Sequence, residues 1–172
     1  LFALKLLECF ISQHKVRGAK YLPRIIEMIV GTMVNATLLP EAFSKRLLIL
    51  ILTYYETSPE FLFGCLDQLN PALMPQGDLK TWFFEQWFSS LQLFIGVHDR
   101  KVVLLAFSKL LQSLRTNTPQ CVITDLPTIF PNVIKLFEKI KTAYKLKAKY
   151  GNEDTDSDSD DEYGGHDSAG EL

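Results

Sequence analysis

The sequence predicts an all-α protein built as a solenoid of antiparallel helix hairpins, and three observations support this fold class. Apolar residues recur every three or four positions along most of residues 1–150, which is the period of an amphipathic helix. The breaks between these stretches are mostly short and carry proline, glycine or helix-capping residues. The first, third and fifth predicted helices begin near residues 2, 40 and 78, and helix pairs repeating at about 40 residues are typical of HEAT-type solenoids. A compact helical bundle is the alternative architecture.

The first four helices are predicted from apolar stripes and from prolines at helix starts. In the first helix, Leu4, Leu7 and Ile11 form the stripe and Glu8 is expected on the opposite face. Prolines open the next three helices, because a proline lacks the amide hydrogen that has no acceptor in the first turn. The predicted bounds are 2–15, 22–36, 40–55 and 59–69, followed by a loop over 70–77.

The last three helices are predicted from two aspartates and two prolines. Asp78 and Asp99 are interpreted as N-caps, whose carboxylates accept hydrogen bonds from the free amides of a helix start. His98 and Asp99 then form a structural turn between two helices, and an Asp99→Ala substitution is expected to cost about 0.5–2 kcal/mol of stability. A connection over 116–124 follows. The predicted helix bounds are 78–95, 99–114, and Pro127 or Pro131 to about Tyr150.

The fifth predicted helix carries an aromatic cluster. Phe84, Trp87 and Phe94 share one face with Leu91, and the remaining aromatic residues widen this face beyond what one partner helix covers. We therefore expect a central helix with both flanks covered; an exposed pocket for Phe-containing peptides is the alternative. The cluster consists of Trp82, Phe83, Phe84, Trp87, Phe88 and Phe94.

The charge of the chain is divided into two opposite parts. Residues 151–172 hold nine of the 20 acidic residues and none of the 18 Lys and Arg residues, so a body of net charge +7 precedes a tail of net charge −9. The tail lacks the apolar surface that folding requires and is predicted to be disordered. We therefore divide the chain into a helical segment over 1–150 and an acidic tail over 151–172. Leu1 already belongs to the first apolar stripe, so the chain is interpreted as a piece of a longer protein.

Motifs exclude several classes of protein. Cys9, Cys65 and Cys121 are widely spaced, which argues against a disulfide scaffold or a zinc ribbon and fits a reducing compartment. No apolar run approaches the ~20 residues of a membrane helix, so no membrane insertion is expected. The sequence has no Gly-rich phosphate loop, HExxH or GxSxG motif. We expect no catalysis, cofactor or metal; an enzyme that uses His98 is the remaining alternative.

The tail supplies the candidate functional residues. Thr155, Ser157 and Ser159 each precede an acidic residue by three positions, a pattern that resembles acidophilic (casein kinase two-type) phosphorylation sites. The tail is also interpreted as a contact for basic cargo; a solubilising spacer and a fold-back onto the last helix are alternatives. The candidate cargo contacts are Glu153, Asp154, Asp156, Asp158, Asp160, Asp161 and Glu162.

The last helix carries a basic face opposite an apolar stripe of Val133, Phe137, Ile140 and Tyr144, which is expected to face the core. We interpret this face as solvated rather than as a nucleic-acid site, because lysines near a helix end also complement the helix dipole. No direct contact with nucleic acid is therefore expected. The lysines are Lys135, Lys139, Lys141, Lys145, Lys147 and Lys149.

Four features in order resemble a known family. They are the run Ala-Leu-Lys-Leu-Leu-Glu at 3–8, Gln86-Trp87, the turn Gly-Val-His-Asp-Arg-Lys at 96–101, and a last amphipathic helix that leads into an Asp/Glu/Ser tract. Together they resemble the carboxy-terminal part of the importin-β (karyopherin) family, of the importin-seven/importin-eight type, over about residues 1–165.

The resemblance implies a nuclear import receptor rather than an enzyme. It implies a HEAT-repeat superhelix that shuttles between cytoplasm and nucleus, binds nucleoporins and carries basic cargo such as histones or ribosomal proteins. The small GTPase Ran would bind parts of the receptor that this chain lacks. A HEAT-repeat scaffold or adaptor in another assembly is the alternative function.

Overall fold

A computed structural model describes residues 2–13, 20–113 and 119–150. All regular structure within these ranges is helical, which confirms the all-α prediction. A short 3-10 helix, Leu91–Leu93, stands between the fifth and sixth α-helices. The α-helices are α1 (Phe2–Gln13), α2 (Leu22–Asn35), α3 (Glu41–Thr57), α4 (Pro59–Leu73), α5 (Leu79–Ser89), α6 (Val97–Ser113) and α7 (Gln120–Tyr150). The tail over 151–172, and with it the predicted division into two parts, lies outside the described residues.

The helices form two layers around α3. α1, α3 and α6 pack side by side in one layer, and α2, α4 and α5 pack in the other. α3 also contacts α2 and α4, while α7 lies mainly against α6. All ten residues from Arg46 to Tyr55 in α3 are buried. A helix segment that is apolar on almost every side requires cover on every side. Here α1, α2, α4 and α6 provide it, together with the aromatic side chains of α5 that contact Tyr55.

The order of helices in the layer differs from the order predicted by the spacing of helix starts along the sequence. α1, α3 and α5 begin at Phe2, Glu41 and Leu79, close to the predicted starts at 2, 40 and 78. In space, however, α6 rather than α5 continues the layer of α1 and α3. α5 ends at Ser89, and the chain then turns through the 3-10 helix so that Phe94 enters the core. The predicted continuation of the fifth helix to residue 95 is therefore wrong.

The fourth and last helices are longer than predicted because both continue through prolines. Pro71 lies in the last turn of α4, where a missing amide hydrogen removes only one helical hydrogen bond. Pro127 and Pro131 lie inside α7, which already begins at Gln120. Both are exposed, so water can satisfy the backbone carbonyls that lack a helical donor. The predicted connection over 116–124 is therefore wrong from Gln120 onward.

The turn after α4 depends on Asn70. Its side-chain amide donates to the Gly77 carbonyl at 3.0 Å, and its Oδ1 accepts from the Leu79 backbone N–H at 2.6 Å. Asp78 then caps α5, as predicted, by accepting from the backbone N–H groups of Lys80 and Thr81.

The aromatic cluster forms the centre of the core, which confirms that both flanks of this helix are covered. Phe83, Phe84 and Trp87 are all buried, and their ring centroids lie 5.7–6.0 Å from that of Tyr55 in α3. Trp87 also meets Phe107 of α6 edge-to-face at 6.5 Å. These are the tilted and edge-to-face arrangements that aromatic pairs prefer. The alternative of an exposed aromatic pocket is wrong for this cluster.

Replacing Trp87 by alanine should remove the contact between α5, α3 and α6. We expect a loss of about 3–5 kcal/mol in the free energy of unfolding, the usual range for a buried Trp or Phe. Urea denaturation of the 172-residue chain measures it. Trp82→Ala is the matched control. Because Trp82 is only half-buried, this variant should lose clearly less free energy of unfolding than Trp87→Ala. Equal losses would contradict the central place of Trp87.

Candidate interaction surfaces

Charged side chains are buried where α1, α3 and α6 meet. Asp99 of α6 is 2% exposed; its Oδ1 accepts from Arg46 Nη1 of α3 at 3.0 Å, and Lys45 Nζ lies 3.4 Å from its Oδ2. Glu8 of α1 is 7% exposed, and its Oε1 lies 2.5 Å from His98 Nε2 of α6. Both pairs therefore join α6 to another helix of its layer.

These contacts correct two interpretations of the sequence. Glu8 does not lie on a free face, because α6 brings His98 to that side of α1. Asp99 is not an N-cap: α6 begins at Val97, and the carbonyl of Gly96 accepts the helical hydrogen bond from the Arg100 backbone N–H. His98 and Asp99 lie in the first turn of α6, where Asp99 still complements the positive end of the helix dipole.

A cavity of about 230 Å³ opens beside this cluster. Glu8, Cys9, Arg46, His98 and Asp99 are among the residues that line it. His98 meets Glu8 through Nε2. The hydrogen bond to Glu8 raises the pKa of His98, against the opposing effect of burial. The Glu8–His98 pair thus links α1 to α6 at the edge of this cavity.

The described residues contain neither a candidate metal centre nor a candidate membrane span. Across 2–13, 20–113 and 119–150, His, Cys, Asp and Glu side chains do not gather into any group of three or more that could hold a metal ion. Within the same ranges, none of the helices combines the length and the apolar character needed to cross a bilayer.

The outer side of α7 is both basic and apolar. Its lysines Lys135, Lys139, Lys141, Lys145, Lys147 and Lys149 are all exposed. Ile123, Phe130, Ile134, Phe137 and Tyr144 are exposed as well. Sequence reasoning found the lysines but missed these apolar residues, because it assigned Phe137 and Tyr144 to the stripe facing the core. The candidate cargo contacts and phosphorylation sites at 153–162 lie outside the described residues.

Comparison with known proteins defines the family. Residues 3–169 match the family described as "Importin-11-like, TPR repeats". Importin-8 of Mus musculus is 32% identical over 141 residues, which are 81% of this chain and 14% of that protein. Importin-8 of Homo sapiens is 28% identical over 153 residues, or 88% of this chain and 14% of that protein. No solved structure shows a significant match.

The layered helices and the family match together define a helical-repeat segment of the karyopherin class. The chain belongs to the importin-β family, which confirms the family resemblance read from the sequence, and it is similar to Importin-8 within that family. It spans 14% of the length of these relatives. TPR and HEAT repeats are both helix pairs, of about 34 and about 40–47 residues. The spacing between the starts of α1, α3 and α5 lies between those lengths.

Asp99→Ala should destabilise the chain more than a lost cap would. The substitution leaves the buried Arg46 guanidinium without this carboxylate, and breaking a buried pair in this way costs about 3–5 kcal/mol. Asp78→Ala is the control, because it removes a true N-cap and should cost only about 0.5–2 kcal/mol. Urea denaturation of both variants makes the comparison. An Asp99→Ala loss no larger than that of Asp78→Ala would contradict the importance of the ion pair.

The Glu8–His98 pair should make stability depend on pH. Because folding raises the pKa of His98, its contribution is complete below the unfolded value of about 6.5 and is lost as pH rises through the folded value. The free energy of unfolding, measured from about pH 6 to about pH 8, should therefore fall slightly; the effect is small because 53% of the His98 side chain is exposed. His98→Gln should flatten this part of the profile, and an unchanged slope would show that the pair does not contribute.

Proposed function

We propose that this chain is part of a nuclear import receptor and contributes to the binding of cargo. The observation that carries the proposal is the family match over residues 3–169, which includes both the helical layers and most of the acidic tail. The Importin-8 relatives support a role in nuclear transport and movement between cytoplasm and nucleus. Ran would act through parts of the receptor outside this chain, and nucleoporins would bind the assembled superhelix.

The proposed mechanism combines shape with charge. Stacked helices give an extended surface on which a folded cargo can rest. The tail adds a net charge of −9 without any Lys or Arg, so it attracts basic proteins such as histones or ribosomal proteins. It also shields them from unspecific contacts with nucleic acid. Individual exposed charge contacts are weak, but many together set the rate of capture and its dependence on salt.

Binding assays with the intact receptor test the function itself. Cargo loaded on the receptor should be released by Ran in its GTP-bound form, and the receptor should bind Phe-Gly nucleoporin repeats. Ran in its GDP-bound form is the matched control. Absence of both Ran-dependent release and nucleoporin binding would favour the alternative, a helical-repeat scaffold in another assembly.

Deleting residues 151–172 from the intact receptor should weaken the binding of a basic cargo such as a histone. The loss should shrink well above 0.15 M salt, where the screening length is about 8 Å. The measurement is cargo affinity against ionic strength.

Two further variants separate charge from chain length. Replacing the seven acids at 153–162 by Asn or Gln keeps the length and should reproduce the deletion. Glutamate at Thr155, Ser157 and Ser159 should strengthen binding, because phosphorylation adds about −1.5 to −2 charge per site. Identical salt dependence for all variants and the unchanged receptor would mean that the tail is only a spacer.

A further inference from the structure

α7 has two apolar faces, and only one of them faces the core. Val122, Ile129, Val133, Leu136 and Ile140 are buried against the rest of the chain. A second row lies on an adjacent face and recurs at steps of seven, four, three and seven residues, which is helical spacing. Its members are 45–59% exposed: Ile123, Phe130, Ile134, Phe137 and Tyr144.

The second row borders α6, so apolar side chains of the two helices lie side by side. The rings of Phe130 and Phe107 lie 6.2 Å apart. Leu111, one helical turn after Phe107, is 41% exposed and continues the apolar surface onto α6. At the other end, Lys101 Nζ lies 5.1 Å from the ring centre of Tyr144. From Ile123 to Tyr144 the row is about 30 Å long at 1.5 Å per residue. We call this surface the α6–α7 groove.

Positive charge borders the carboxy-terminal half of the groove. Lys141 lies one turn after Phe137, and Lys145 lies one turn after Lys141. Lys101 approaches from α6. The whole of α7 carries six lysines and only two acidic residues, Asp125 and Glu138. A ligand for this surface therefore needs apolar side chains for the row and negative charge for its border.

These requirements select one kind of occupant. A second copy of the chain would bring another lysine-rich α7 and be repelled. Nucleic acid would match the lysines but would leave the aliphatic Ile123 and Ile134 without a complementary surface. The acidic tail has the charge but, in 153–162, no apolar residue at all.

We propose that the α6–α7 groove binds an amphipathic helix of a partner protein, with apolar residues at i, i+3 or i+4 and i+7 flanked by Asp or Glu. This is the helix-in-groove mode of recognition. The groove and the acidic tail select opposite charges, so this inference stands independently of basic-cargo binding by the tail.

A designed peptide of about 20 residues, with Leu in the apolar positions and Glu on both flanks, tests the proposal. Its binding to the intact receptor is followed by fluorescence anisotropy. A control peptide with Gln in place of each Glu should bind at least ten-fold more weakly than the Glu peptide. A second control peptide with Lys at these positions should bind more weakly still. A single-stranded oligonucleotide that binds better than the Glu peptide, and loses affinity in the same variants, would overturn the proposal in favour of nucleic acid.

Variants locate the site on the groove. Phe137→Ser should lower the affinity for the Glu peptide at least ten-fold. Lys141→Glu should lower it as much without altering an apolar contact. Lys139→Glu is the matched control, because it makes the same charge change about 160° around the helix and should leave affinity within two-fold. Equal effects of Lys141→Glu and Lys139→Glu would show a general charge effect and would overturn the proposal.

The groove must also be open in the intact receptor. A Phe137→Cys variant reports this through the rate at which a maleimide labels position 137, compared with the same variant unfolded in urea. Because native cysteines such as Cys9 are exposed and also react, the peptide that contains position 137 is resolved by mass spectrometry. Rapid reaction that the Glu peptide slows is the expected result. Strong protection in the absence of peptide would mean that the receptor's own helices cover the groove, and the proposal would be wrong.

Discussion

The complete burial of α3 is the constraint on which the rest of the structure depends. Ten consecutive residues, Arg46 to Tyr55, are withdrawn from water, and such a helix is stable only when every side is covered. α1 and α6 cover it within one layer, while α2 and α4 cover it from the other. The two-layer arrangement of this helical-repeat segment therefore follows from one stretch of sequence that is apolar on every side except at Arg46 and Thr53.

Apolar cover alone does not specify which helix lies beside α3 or in which register, because many apolar surfaces fit a uniform aliphatic helix. Arg46, the first residue of that buried segment, specifies the neighbouring helix because its charge requires a partner of opposite charge. Its pairing with Asp99 draws α6, rather than the preceding α5, into the layer. Glu8 and His98 fix α1 against α6 in the same way. A buried ion pair adds little net stability, and His98 in the second pair is half exposed, so we infer that both pairs serve mainly to select neighbours.

The features that the sequence predicted correctly are those that depend on nearby residues. Asp78 caps α5 through amides two and three positions away, and the aromatic cluster is recognisable as core from its own spacing. The errors concern residues whose partners are distant. Glu8 was assigned to a free face because its partner His98 is 90 positions further along the chain. Asp99 resembled a cap because its partner Arg46 is 53 positions earlier. Pro127 and Pro131 resembled a helix start because proline is common in the first turn of a helix. Both lie inside α7 instead, at exposed positions where water can bond the carbonyls that lack a helical donor.

The chain places a strongly acidic segment directly after a strongly basic helix, so charge alone cannot determine what either one binds. Attraction between exposed opposite charges of this kind is weak and reversible at physiological salt. Under the proposed function, a basic cargo would compete for the tail by offering more positive charge than α7 does. An acidic amphipathic helix competes for α7 by a different means, since it covers Phe130, Ile134 and Phe137, which residues 153–162 cannot cover. Burial of those side chains gains about 25 cal/mol per Å², a contribution that salt does not screen. Under the two proposals, the apolar row on α7 would therefore allow α7 and the tail to bind different partners, although their charges are opposite in sign.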